Sequence, residues 1–261
     1  MPSTPFAALV LFPLAMPVAQ AGGPSDVGGW ILSAGMRPEA QTRVRAWVHD
    51  DQRVTEAFAA SYPRWVQGRI ARAVDRHLPS AATACEPSVQ VRFVEPGTVG
   101  ETEADQAFER STFQVESLHC LEHGDAARAM AVYNSVDFRE TVMPGLERYW
   151  LEGDGSCFTT SALFGVVGQT EACLTAREFV GDGVRAFHTR LIESVDAPDH
   201  QGVFLREGVV AFVDRADGGV AVYRIVTTRS KDMGAVQRSI LGHAAGSAQQ
   251  KVAEALEERL R

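Results

Sequence analysis

The run His119-Cys120-Leu121-Glu122-His123 sets two imidazoles four residues apart with a carboxylate between them. On one helical turn that spacing lets both rings hold a zinc ion while the glutamate activates a bound water. A second candidate is Gly153-Asp154-Gly155-Ser156-Cys157-Phe158, a turn leading into a cysteine. Such a cysteine becomes a nucleophile only when a histidine makes it a thiolate, and His188, His200 and His243 lie downstream. A third is cationic: Arg185 and Arg206 stand in strand-like segments, where either can anchor the polar head of a ligand.

The elements around these residues weigh against the first two. Phe113, Val115 and Ser117 alternate as a strand does, and Gly124-Asp125 stops a helix just after His123, so the five-residue run sits at a strand end. The four cysteines, Cys85, Cys120, Cys157 and Cys173, are even in number and read as two disulfides once the chain leaves the cytoplasm. Of three pairings, Cys85 with Cys120 and Cys157 with Cys173 join neighbours most easily, although spacing leaves all three open.

Export is the expectation for residues 1–21. Phe6 to Val18 is apolar apart from two prolines, and Ala19-Gln20-Ala21 has the small-x-small form that signal peptidase accepts, so the mature chain should begin at Gly22 in the periplasm or outside the cell. No later stretch approaches the roughly 20 apolar residues of a membrane span. The remaining residues, about 240, are enough for one large domain, and 45% hydrophobic residues can fill its core. A formal charge of -8 argues against nucleic acid and anionic membrane surfaces, both of which need clustered Lys and Arg. Nothing calls for a cofactor or fixes an oligomeric state.

Glycines crowd residues 22–36, and the lead-in 22–53 reads as a flexible mature N-terminus. From Val54 the positions Phe58, Tyr62, Trp65, Val66, Ile70 and Val74 recur with helical period, with a break near Ser61-Tyr62-Pro63. Val89, Val91 and Phe93 alternate as a strand, and an acidic loop from Glu101 to Glu109 leads to the next. Residues 125–143 read as a helix ended by Pro144-Gly145. Strands then run over 147–151, 157–167, 172–180, 184–194, 203–214 and 220–229, with Gly181-Asp182-Gly183 and Asp217-Gly218-Gly219 as hairpin turns. His188 and Arg190 share one face of the fourth, and one polar face should meet solvent. After Met233 a long helix carries Leu241, Ala245, Ala248, Val252 and Ala255 on one stripe, with Glu254, Glu257, Glu258 and Arg259 on a solvated side.

The fold class is therefore α+β: an antiparallel sheet wrapped around a long C-terminal helix, with an N-terminal helical extension. A helix faced with small residues cannot fill the space over a twisted sheet, which leaves room for an apolar cavity. The cavity side is expected to hold Phe187, Leu191, Tyr223 and Ile225, and the ligand wall to comprise Arg185, Phe187, Arg206, Tyr223, Leu241, Ala245 and Ala248.

This order of elements resembles the helix-grip fold of the START and polyketide-cyclase-like superfamily, and two segments are similar to it as well. Ala129 to Arg139, running on to Met143-Pro144-Gly145, is similar to its first helix and the approach to its second strand, and Ala248 to Leu260 is similar to its closing helix. The resemblance covers a core of 111–261, or 54–261 in the larger START arrangement, and implies a hydrophobic small molecule or lipid as partner without implying a reaction. Two further resemblances compete with it. His119 to His123 matches the H-x-x-E-H of inverted zinc metallopeptidases, which implies His119, His123 and Glu193 as ligands with Glu122 as base. Gly153 to Phe158 is similar to the nucleophile segment of ovarian-tumour-type cysteine proteases, which implies Cys157 as nucleophile. A purely partner-binding envelope protein is the remaining alternative.

Overall fold

A computed structural model of the chain describes residues 22–33, 54–142, 146–152, 155–162, 167–196, 203–230 and 235–261. Within these, side chains are described except at 151–152, 155–156, 160–162, 167–172, 191–196, 203–205, 230 and 235–243. The segment expected to be a signal peptide lies outside the described residues.

The second half of the chain folds as its alternation predicts. β1 (Ser88–Phe93) and β2 (Thr112–Leu121) are joined by β3 (Leu146–Glu152), β4 (Gly155–Ala162), β5 (Val167–Gly181), β6 (Val184–Asp196), β7 (Val203–Asp214) and β8 (Val220–Ser230). They form one eight-stranded sheet in the order β1-β2-β8-β7-β6-β5-β4-β3, antiparallel throughout. The β7–β8 turn needs its glycine: Gly219 has φ 79°, and a Cβ there would lie 2.2 Å from the Leu121 carbonyl oxygen. Both disulfides pair sequence neighbours, Cys85 with Cys120 and Cys157 with Cys173.

Helices cover both faces of this sheet. On the inner face lie α4 (Ala126–Asn134), α5 (Val136–Val142) and the C-terminal α6 (Ala235–Leu260). Residues 125–143, read from the sequence as one helix, break at Ser135, whose extended backbone (φ −69°, ψ 142°) separates α4 from α5. The inner core joins Tyr133, Phe138, Phe187, Phe212, Leu256 and Leu260.

On the outer face lie α1 (Val27–Ser33) and α2 (Glu56–Ala81). Phe58, Tyr62, Val66, Ile70, Val74 and Leu78 recur every four residues along α2 and are buried against Val209, Ala211, Val213 and Ile225. This stripe carries α2 straight through Pro63, where a break was expected. An interior proline costs about 3 kcal/mol, and burying Tyr62 and Val66 on either side of it recovers about 1.5–3 kcal/mol for each side chain.

The second helical layer overturns three expectations. Residues 24–33, expected to be without order, form a 3-10 turn and then α1, because Val27, Trp30 and Ile31 are buried in the outer core and the amide of Asp182 donates to the Gly22 carbonyl at 2.9 Å. The acidic stretch read as a loop contains α3 (Glu103–Arg110), capped by Thr102 and Asp105 in a reciprocal box. Its Glu109 is fully buried and accepts from the amides of Gly97 and Val99 at 2.6 Å, which holds the preceding turn. The face of β6 that carries His188 and Arg190 does not meet solvent; both are buried, His188 edge-on to Trp30 of α1.

Trp30 is the largest buried side chain of α1, packing on Phe179 and edge-on to His188. Trp30→Ala is expected to cost about 3–5 kcal/mol in urea denaturation. A change below about 1 kcal/mol would mean that α1 is not part of the folded unit.

Candidate functional site

The inner face of the sheet encloses a cavity of about 50 Å³. Its floor is Phe158 of β4, Leu174 of β5, Phe187 and Thr189 of β6, Gly208 and Val210 of β7 and Val226 of β8. Tyr133 of α4, Arg139 of α5 and Tyr149 of β3 complete the wall, with Arg206 and Arg224 rising from β7 and β8. Strand parity puts these residues together. Arg206, Gly208 and Val210 alternate along β7, and Val210 pairs with Arg224. Gly208 is left bare because a Cβ there would lie 2.8 Å from Val226 Cγ2 and 2.9 Å from the Ile225 carbonyl oxygen.

Three guanidinium groups from three elements converge on Tyr133. Arg139 stacks over the Tyr133 ring at 4.2 Å and over Phe187 at 5.7 Å, and donates to Asn134 Oδ1 at 3.1 Å. Arg206 lies over the Phe158 ring at 5.6 Å. Burial, then the neighbouring charge of Arg224, pushes Arg206 down to about 10 from its ordinary 12.5. Burial alone would raise the Tyr133 phenol, but Arg224, Arg139 and Arg206 outweigh it and hold the group below its ordinary range. Beside them on β2, His119 is held below its usual value by burial and then by Arg224.

The outer face of the same strands has the opposite balance. Arg190 donates to Glu207 Oε1 at 2.6 Å, and His188 Nε2 lies 2.8 Å from the same oxygen, all three buried. Burial works against the Glu207 carboxylate, but Arg190 and His188 overcome it and keep the group below its ordinary 4.5. Tyr223 belongs to this face: burial, then Glu116, whose carboxylate accepts from its hydroxyl at 2.9 Å, pushes its phenol up.

Of the residues expected to form the ligand wall, Phe187 and Arg206 line the cavity. Tyr223 and Ile225 do not, because odd positions of β8 face α2 and even positions face the cavity. Arg185 shares a face with Phe187 but lies at the strand end, where its guanidinium donates to the carbonyls of Gly181 and Val184 at 2.6 and 2.8 Å. Ala245 and Ala248 of α6 are half-buried outside the lining, since α6 crosses the sheet over β1 and β2 while α4 and α5 roof the cavity. The side chains of Leu241 and Leu191 lie outside the described residues. Arg139 and Arg224 were missed. The signal for Arg224 was its position between Val222 and Val226 on an otherwise apolar face.

The two catalytic alternatives are not assembled. Cys157 is bonded to Cys173 and has no thiol to activate. His119 and Cys120 end β2 as strand residues, so His119 and His123 do not share a helical turn. His123 instead binds Glu257 of α6, and the metal-compatible grouping among the described residues is the exposed Glu122 and His123 with the half-buried Glu257. The Glu193 side chain lies outside the described residues.

No protein-family model matches this sequence, and no curated protein matches it significantly. Among solved structures, human STARD10 is similar over 70% of this chain and 78% of its own, at 9% identity and a TM-score of 0.42. A STAR-related lipid transfer protein from Xanthomonas axonopodis is similar over 68% of this chain and 98% of its own, at 15% identity and a TM-score of 0.42. A START superfamily protein from Mycobacterium smegmatis covers 56% of this chain and 96% of its own, at 13% identity and a TM-score of 0.40. Likenesses at this level carry no argument about ligand or reaction, and the site is read from its own side chains.

The outer-face cluster yields a pH dependence. Glu207 has a depressed folded value, so it adds stability above its unfolded pKa near 4.5 and loses it as pH falls through the lower folded value. Glu207→Gln should cost about 3–5 kcal/mol at pH 7, because Arg190 and His188 stay buried without their anion, and should flatten the acid limb of the stability profile. Equal loss at pH 3 and pH 7 would contradict this assignment.

Proposed function

We propose that this chain is an exported protein that binds a hydrophobic, lipid-like small molecule in the cavity between the inner face of the sheet and its helical roof. The observation that carries the reading is the wall itself: Phe158, Leu174, Phe187, Val210 and Val226 line the space between the inner face of the sheet and the helices over it. Ligand pockets usually measure about 300–1,000 Å³. The enclosed volume of about 50 Å³ accepts only part of such a molecule, so a lipid-sized occupant has to part the roof from the sheet. The roof suits that motion: α4 and α5 have 9 and 7 residues, too short to hold as helices without their packing, and they turn about Ser135.

Export is supported by the apolar leader ending in Ala19-Gln20-Ala21 and by the pairing of all four cysteines. No helix among the described residues is long and apolar enough to cross a membrane.

Native mass spectrometry of protein purified without detergent should show a lipid-sized adduct, and a fluorescent acyl probe should brighten on binding. An empty protein that leaves such probes unchanged would refute ligand binding. N-terminal sequencing of protein recovered from the producing cell should begin at Gly22, and an intact Met1 in the cytoplasm would refute export.

A further inference from the structure

We propose that the inner cavity holds the anionic head, a carboxylate or phosphate, of an amphiphilic ligand against Arg139, Arg206 and Arg224. The proposal rests on the hydrophobic-ligand reading and narrows it to one chemical class.

Charge balance is the first argument. Among the described residues, no carboxylate lines the cavity or hydrogen-bonds to any of the three guanidinium groups. Buried charges are costly unless paired, and the outer face of β6 and β7 shows what pairing looks like, with Arg190 directly bonded to Glu207. The inner face gathers three cations around one phenol instead. A neutral sterol or hydrocarbon would remove their remaining water and return nothing, whereas an anion accepts hydrogen bonds from all three.

Unpartnered donors are the second argument. Nε of Arg139 and Nε of Arg224 are buried with no hydrogen-bond partner. Ser117, 1% exposed, pairs with Arg224 across β2 and β8, and its hydroxyl is also buried and unpartnered, as is Nε2 of His119 two residues further on the same face. On the outer face the unmet Nε of Arg190 and Oε2 of Glu207 belong to side chains already bonded to each other, whereas the inner-face donors of Arg139 and Arg224 have no carboxylate beside them among the described residues.

Size and shape are the third. About 50 Å³ fits a head group, and the aromatic and aliphatic floor that surrounds the arginines continues the site for an apolar body. Guanidinium groups from three separate elements surround a compact anion from several sides, and their planar forks suit carboxylate and phosphate oxygens.

Calorimetric titration of the full chain with decanoate, decanol and inorganic phosphate tests the proposal. Decanoate should bind about tenfold or more tightly than decanol, the worth of one charge-assisted hydrogen bond. Arg206→Gln and Arg224→Gln should each lose about that factor for decanoate and leave decanol unchanged. Both variants relieve like-charge crowding, so their melting temperatures should hold or rise, and Arg206→Lys, which keeps the charge, should retain the preference if a glutamine variant fails to fold. Equal affinity for decanoate and decanol would overturn the anionic head and leave hydrophobic binding standing, as would a preference that survives in both variants. Failure of both chain-bearing probes would overturn the two readings together. Inorganic phosphate bound as tightly as decanoate would overturn the amphiphile in favour of a free anion.

Discussion

A sheet covered by helices on both faces has to neutralise from within every charge it carries. Water reaches neither side of β6, β7 and β8 freely, so each ionised side chain there either finds a protein partner or stays under-satisfied. The outer face pairs its charges: Glu207 sits between Arg190 and His188, and Glu116 accepts from Tyr223, although Nε of Arg190 and Oε2 of Glu207 stay unmet. The inner face carries arginines and a tyrosine whose phenol they hold down. Two buried tyrosines of one protein are thus shifted in opposite directions, and the difference is the sign of the charge packed beside each.

That asymmetry sets a cationic, loosely packed face of the sheet against a paired, densely packed one. The outer layer is long and regular, with α2 laying six side chains at four-residue intervals onto β7 and β8. The inner layer is made of two short helices and the crossing α6, with a void and unmet donors beneath the short pair. Packing that is dense on one face and incomplete on the other lets the loose face open locally while the other holds the strands in register.

Much of this was legible from period alone. The strands, their two hairpin turns and the long last helix follow from alternation and from Asp-Gly chemistry, and adjacency favoured the disulfide partners that formed without fixing them. What was missed has a common cause. The run Gly208-Val209-Val210-Ala211-Phe212-Val213 is apolar at every position, which is how a strand buried on both faces reads, and it announces a second helical layer. Without that layer His188 and Arg190 looked like solvent-facing residues, and the glycine-rich 22–33 looked free. Parity was the other gap. Deciding whether Tyr223 or Arg224 faces the cavity requires knowing which side α4 covers, and nothing local to β8 reveals it. Arg139 enters the site from a helix more than 60 residues away in sequence, so only the tertiary fold could bring it to Arg206.

The Cys85–Cys120 bond lies where α2 hands over to the sheet, closing a loop of 35 residues that holds β1 and α3. With α2 covalently leashed to β2, the outer layer and the sheet remain one body at a fixed local concentration, and docking between them is never a bimolecular search. The edge strand β1 lies inside the closed loop, so it stays leashed beside β2 even where the inner layer loosens.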